Sequence, residues 1–451
     1  MIGRLRFVGV VAVCLAMVAV VPVTAQQVGG EQDLTASPLS VYTPPTCVPG
    51  VPFSDITCTT GFDPWIEQFG LDGITAGCGG GKYCPGTPVT RDQMAVFIEK
   101  SMRGTANWPP HTVLVVHHPA AETNSNLNSG TELLAMVAAI PTSGAEAPGP
   151  GNPWLIKLGP GVFDLGSNSL TLPQYTALEG SGQDVTEITA TGYAVSAGTV
   201  IMGDHGRLSR ITVNNSGGSS NETAVYLPGS AGNVALEHVT LTASSPSNAS
   251  GGAAGLSADL ISSFSMVDCD VTVHGAAYNY GILANTSAYR PRLDGVRVNV
   301  YGSNDTSGSS YGYVGISSGG WITNSYFNVQ DGSTGYGVDV YGATSYVLFL
   351  QNSEVTTFSS GAAVYAHDTA ASLVGDLINS LGGSGLDTGG GTASATIQNC
   401  NIFGASHWLS NASGYQVMAM LSTLIGGTSN AGTLQCFGNS TGAGFLTNTC
   451  P

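Results

Sequence analysis

The stretch Val296-Arg297-Val298-Asn299-Val300 alternates apolar and polar residues with a period of two. A strand with that alternation turns its three valines to one side and Arg297 and Asn299 to the other. Val298 is also one member of a longer ladder, Ile211, Val239, Val271, Val298, Phe327, Val355, Ile378, Ile402 and Leu424. Its steps are roughly 22 to 32 residues. A second ladder falls in the gaps: Val225, Leu256, Ile282, Ile316, Val338, Val364, Leu386 and Leu409. Its centres usually follow Gly or Ala, as in Gly281-Ile282, Gly315-Ile316 and Gly337-Val338. Short strands recurring at this period between Gly, Ser and Asn turns describe the coils of a solenoid rather than hairpins.

Composition agrees with a large folded core. The chain has 451 residues, of which 9% are charged and 42% hydrophobic, with 63 glycines. A chain so poor in charge and so rich in apolar residues is not a disordered linker. Arg4 and Arg6, the apolar run Phe7 to Val21 and the small-residue site Val23-Thr24-Ala25 read as a signal peptide over residues 1–25, so export to the cell envelope, the cell surface or the medium is expected. No membrane insertion is expected once it is cleaved. Its removal takes away two arginines and no acid, leaving a chain still more acidic than the formal net charge of −17. That balance argues against nucleic acid and anionic lipid as partners.

Cysteine spacing pairs Cys47 with Cys58, Cys78 with Cys84, and Cys436 with Cys450. Cys269 and Cys400 lie beside ladder centres five coils apart, roughly 24 Å at about 4.8 Å per layer, far beyond disulfide reach. They are expected to be buried thiols. The organisation that follows is a linker over 26–46, a compact unit over 47–104, a connector and N-terminal cap over 105–153, the solenoid over 154–427, and a disulfide-closed tail over 428–451. Within the compact unit, Asp63 and Pro64 open a short helix with Trp65, Ile66 and Phe69 on one face, and Thr90 with Gln93 forms a capping box for a second helix. In the connector, Val113 to Val116 reads as a strand and Thr131 to Ile140 as a capping helix. His117-His118 point opposite ways on a strand, so no metal site is expected there, and no cofactor is implied elsewhere.

The run Phe53-Ser54-Asp55-Ile56, Trp65-Ile66, Gly73-Ile74-Thr75-Ala76-Gly77, Tyr83, Pro85 and Val89 to Phe97 resembles the S-layer homology module. That resemblance implies a helical unit that attaches an exported bacterial protein to a cell-wall polymer or peptidoglycan. By the same resemblance, Asp55, Trp65 and Arg91 are the expected wall contacts, with Arg91 suited to a carboxylate and Trp65 to a sugar face.

Leu155 to Leu165, Leu178-Glu179-Gly180-Ser181-Gly182 and Thr186-Glu187-Ile188 look like the opening coils of the right-handed parallel β-helices of the pectin-lyase-like superfamily. The implied fold is a mainly β, single-stranded parallel β-helix behind a small helical module. The resemblance does not carry an activity. The Asn-Thr-Asp, Gly-His-Gly and Arg-Ile-Lys signatures of polygalacturonases do not occur, and Arg290-Pro291-Arg292 departs from the lyase spacing. Asn324, Asn352 and Asn399, with Asp268 and Asp376 as variants, recur at one phase and read as a structural turn ladder. As a catalytic alternative, Asp268 and Asp270, about 6.6 Å apart on one strand face, could form a carboxylate pair with Arg297 beside it, as a polysaccharide lyase or glycoside hydrolase would need.

Eleven of the 17 tyrosines fall between Tyr278 and Tyr365. Tyr301, Tyr326 and Tyr336 are the expected contacts for a neutral polysaccharide, their ring faces covering apolar sugar faces. The function expected is an exported surface protein whose β-helix is a structural or glycan-interaction surface without catalysis.

Overall fold

The computed structural model describes residues 47–71, 74–103, 111–115, 129–192, 197–217, 221–245, 251–260, 263–285, 291–302, 308–330, 334–342, 347–391, 393–441 and 444–445. The chain forms two compact units, Met1–Asn107 and Trp108–Pro451. Among its described residues the first contains two helices, Asp63–Leu71 and Arg91–Arg103, whose Phe69 and Phe97 rings meet edge to face at 5.1 Å. Disulfides join Cys47 to Cys58 and Cys78 to Cys84.

The second unit is a right-handed parallel β-helix. One coil shows the plan. Gly320–Thr323 lies on a first face, Tyr326–Gln330 on a second and Thr334–Tyr341 on a third, and each pairs in parallel with its counterpart one coil before and after. Every coil therefore buries its inward row against the next, and one continuous apolar core runs from Val115 to Cys436. The helix begins earlier than the 154–427 span read from the ladders. His111–Val115 already pairs with Trp154–Leu158, and at the other end Thr433–Phe437 and Ser440–Thr441 still stack on the coil before them. The helix Ser129–Ala138 contributes Leu133 and Val137 to the core, and its Gly130 sits so tightly on Asp164 that an added Cβ would lie 1.8 Å from the Asp164 carbonyl oxygen.

The bend between the first and second faces is a left-handed backbone residue in coil after coil. Arg210, His238, Asp268, Asn324, Asn352, Asn399 and Leu421 hold φ between 49 and 55°, and Gly295, Gly375 and Gly438 fill the same place in other coils. Asn and Gly dominate there because they tolerate this conformation best. Asp268, Asn324, Asn352 and Asn399 thus share one phase. Asp376 does not: its coil places Gly375 at the bend and turns Asp376 inward.

The residue after each bend faces the core, giving the buried row Ile211, Val239, Cys269, Val296, Ser325, Ser353, Asp376, Cys400, Ser422 and Asn439. From Val296 on, side chains in this row accept backbone N–H groups of the preceding coil. Ser325 Oγ accepts from Val296 at 3.1 Å, Ser353 Oγ from Ser325 at 3.1 Å, and Asp376 Oδ1 from Ser353 at 2.9 Å. Ser422 Oγ takes Cys400 N at 3.2 Å, and Asn439 Oδ1 takes Ser422 N at 2.9 Å. Cys269 and Cys400 stand five steps apart in this row, both free and buried. Burial pushes their thiols up to about 12 and about 11, so neither is a nucleophile at neutral pH. Cys436 is disulfide-bonded, and its expected partner Cys450 lies outside the described residues.

Two rungs of the expected ladders are displaced. Val271 pairs with Leu241 rather than Val239, because rows two residues apart on a strand are both inward and alternation cannot tell them apart. On the third face the inward neighbour of Ile282 and Val338 is Tyr313, not Ile316. Tyr313 is fully buried with its hydroxyl donating to the Gly319 carbonyl at 2.8 Å, while Ile316 is half-exposed in register with Asn285 and Tyr341. A buried tyrosine is allowed here because its polar tip is satisfied.

Candidate functional site

The residues proposed from sequence fall in four places. In the first unit, the Asp55 carboxylate accepts the backbone N–H groups of Tyr83 at 2.7 Å and Cys84 at 2.8 Å. Those hydrogen bonds, Tyr83 foremost, hold its pKa below the ordinary value. Asp55 thereby pins the Cys78–Cys84 loop. Trp65 is 47% exposed, away from the face on which Glu67 accepts Val48 N–H at 2.8 Å. Asp63, expected to cap the helix, instead accepts the backbone N–H groups of Thr59 and Thr60 upstream. Arg91 is exposed at the start of its helix, where Thr90 and Gln93 form the reciprocal capping box.

On the second face, Asp270, Arg297, Tyr326 and Glu354 follow one another in register as an outward row. Arg297 Nη1 reaches Asp270 Oδ1 at 3.2 Å, both side chains being exposed. Asp268 is not on that strand, which runs Asp270–His274. It occupies the left-handed bend, with His238 Nδ1 3.9 Å from its Oδ2. Asp268 thus stands off the strand that carries Asp270, and Asp270 is held in an exposed salt bridge with Arg297.

Tyr301, Tyr326 and Tyr336 do not form one surface either. Tyr326 and Tyr301 open and close strands of the second face, whereas Tyr336 belongs to the third. There it joins a row that the ladders did not single out. Tyr280, Tyr311 and Tyr336 are register partners on successive coils, with ring centroids 5.2 and 5.5 Å apart and rings within 6 and 13° of parallel. Tyr365, the register partner of Asp339, brings its ring within 5.5 Å of that of Tyr336 at a tilt of 54°. Rings stacked in this way cover each other's faces and leave edges and hydroxyls for the surface. Of the three tyrosines expected to offer ring faces to a sugar, Tyr336 has its ring stacked on that of Tyr311.

A kink places these rings beside a carboxylate. On Thr334–Tyr341, Gly337 and Val338 are both buried, so Tyr336, Asp339 and Tyr341 all point outward although a flat strand would not align them. Gly281 and Gly312 occupy the same place in the two preceding coils, where a Cβ would lie 2.4 Å from the carbonyl oxygen of the glycine above. Asp339 pairs with Val314 on one side and Tyr365 on the other, and Asp387 follows Tyr365 in the same row. Asp339 is only 7% exposed, and its Oδ1 is buried with no hydrogen-bond partner among the described residues. Desolvation pushes its carboxyl up to about 7. Burial likewise raises Tyr280 to about 12 and lifts Tyr336, Tyr341 and Tyr365, with Asp339 adding to each. Asp339 was missed because an isolated aspartate in a Gly-Val-Asp-Val run carries no motif; only the repeat of Gly337 with Gly281 and Gly312 hinted at a special coil.

No protein-family profile and no curated sequence matches this chain. Among solved structures, it is similar to the A-module of a mannuronan C-5 epimerase from Azotobacter vinelandii, with 14% identity, 70% of this chain and 95% of that one covered, and a TM-score of 0.43. It is similar to tailspike protein 3 of bacteriophage CBA120 at 12% identity, 73% and 51% coverage, TM-score 0.44. A pectate lyase matches at 12% identity, 74% and 80% coverage, TM-score 0.41. Likeness at this level carries no argument about what the chain does.

Proposed function

We propose that this is an exported envelope protein that contacts a neutral polysaccharide through the third face of its β-helix, without catalysis. The tyrosine row of Tyr280, Tyr311 and Tyr336, with Tyr365 beside it, carries the reading. It sets phenol hydroxyls at a regular pitch along a surface with Asp339 and Asp387 beside it, and neutral sugars offer hydroxyls that pair with such groups. The catalytic alternative is not favoured, since Asp268 lies at the bend and Asp270 is engaged by Arg297. Polysaccharide-acting proteins among the structures of similar fold accord with a glycan ligand and do not name it.

The same reading gives the first unit the task of holding the protein at the cell wall, on the strength of its resemblance to the S-layer homology module and the exposure of Trp65 and Arg91. The full-length protein and a form lacking residues 47–104 are compared for retention on isolated bacterial cell walls and on a panel of neutral polysaccharides. Loss of wall retention with glycan retention intact is the expected result. Arg91→Ala should weaken wall retention and reduce its salt sensitivity. Undiminished wall binding after removal of the whole unit refutes the anchoring, and release of shortened products from any polysaccharide refutes the non-catalytic assignment.

A further inference from the structure

Asp339 is an outward residue at the centre of its face, and yet it is almost completely covered. Tyr336 and Tyr341 flank it on its own strand, Val314 underlies it in the coil before, and Tyr365 stands over it in the coil after. Those rings do not hydrogen-bond its buried Oδ1. An oxygen so placed costs free energy with nothing in return unless a ligand group completes it. We propose that this cradle is a subsite for one sugar unit of a neutral glycan, with the Asp339 carboxyl accepting a hydrogen bond from a sugar hydroxyl. The assignment rests on the reading of the third face as a glycan surface and adds to it the residue that orients the chain.

The chemistry around Asp339 selects the ligand class. Tyr280, Tyr311, Tyr336, Tyr341 and Tyr365 surround it with phenols and Asp387 is a second acid, so an anionic sugar would meet repulsion; His367, whose ring lies 6.1 Å from that of Tyr365, is itself 3.5 Å from Asp368. A divalent cation takes six or more oxygens with several carboxylates, which one buried carboxyl among phenols does not supply. A hydroxyl donor in an aromatic setting fits both constraints.

The full chain is tested by isothermal titration with neutral hexasaccharides of β-1,4-linked glucose, xylose and mannose, with an anionic hexauronate as control. For the neutral probe that binds, Asp339→Val should weaken affinity about 10- to 100-fold, the range for losing a hydrogen bond to a buried acceptor. Asp339→Asn, which keeps an acceptor oxygen, should stay within about threefold. Asp339→Val should at the same time raise the denaturation midpoint, because an unpaired buried acid is exchanged for an apolar side chain. That opposition of affinity and stability is what a merely structural role would not produce. Undiminished affinity in Asp339→Val, while Tyr311→Ala loses binding, overturns the subsite and spares the face. Unchanged affinity in both variants, or no binding of any neutral probe by the unaltered protein, overturns the face and the subsite together. Preference for the hexauronate overturns the assignment of a neutral ligand.

Discussion

Asp339 and Asp376 are both buried acids whose carboxyls are pushed to about 7, and they reach that state in different company. Asp376 accepts the N–H groups of Ser353 at 2.9 Å and Val374 at 2.8 Å, which favours its charge, and burial still outweighs them. Asp339 has burial alone. A folded-state pKa raised above the ordinary 3.8 means that ionisation works against the fold. Stability is then complete below about pH 4 and is lost as pH rises towards 7, by at most on the order of 4 kcal/mol per group. The thermal midpoint should accordingly climb as pH falls from 8 to 5. Asp339→Asn and Asp376→Asn should each flatten that slope, as differential scanning calorimetry across the range would show. Variants with the slope of the unaltered protein would mean that these carboxyls are solvated. Neither acid was legible as special: Asp376 read as one more turn residue, since inward and bend positions are adjacent in sequence and differ only by which residue takes the left-handed conformation.

At the scale of the strand, the glycine row is what turns a solenoid face into a site. Gly337 lies where an added Cβ would sit 2.1 Å from Val355 Cγ1 and 2.7 Å from the Ala363 carbonyl oxygen. Val355 is a core side chain in register with Phe327 and cannot swing away. Gly337→Ala should therefore cost about 1 to 3 kcal/mol by overpacking. It should also reduce glycan retention, because straightening the kink moves Tyr336 off the side shared with Asp339. Denaturant titration and retention of the same variant check both; loss of stability without loss of retention would separate the kink from the site. Most strands were readable because alternation and a repeating core were both present. The coil of Tyr313 misled because Gly315-Ile316 imitates the glycine-apolar step, and a sequence does not say that a tyrosine will bury its ring and hand its hydroxyl to Gly319.

At the scale of the molecule, the solenoid was plain from periodicity, whereas its ends were not. Coils at the ends lack a neighbour to fix their spacing, which is why the His111–Val115 rung and the rungs beyond residue 427 stood outside the expected span. The site was harder still, since its parts lie on coils separated by some 25 to 30 residues and become neighbours only through stacking. The last described turn has its own logic. Ser440–Thr441 stacks in parallel on Thr423, but its other edge is taken by Gly444–Phe445 running antiparallel. A stack of parallel rungs is a template for further rungs, and this reversed strand denies a second molecule that edge. Truncation after Thr441 should leave a soluble monomer prone to end-to-end filaments, visible as rising light scattering and by negative-stain microscopy. A truncated chain that stays monomeric at high concentration would show that the reversed strand is dispensable. The closing hairpin thus removes one of the edges on which a fibre could grow, while Thr433–Phe437 has no strand partner on its outer side among the described residues.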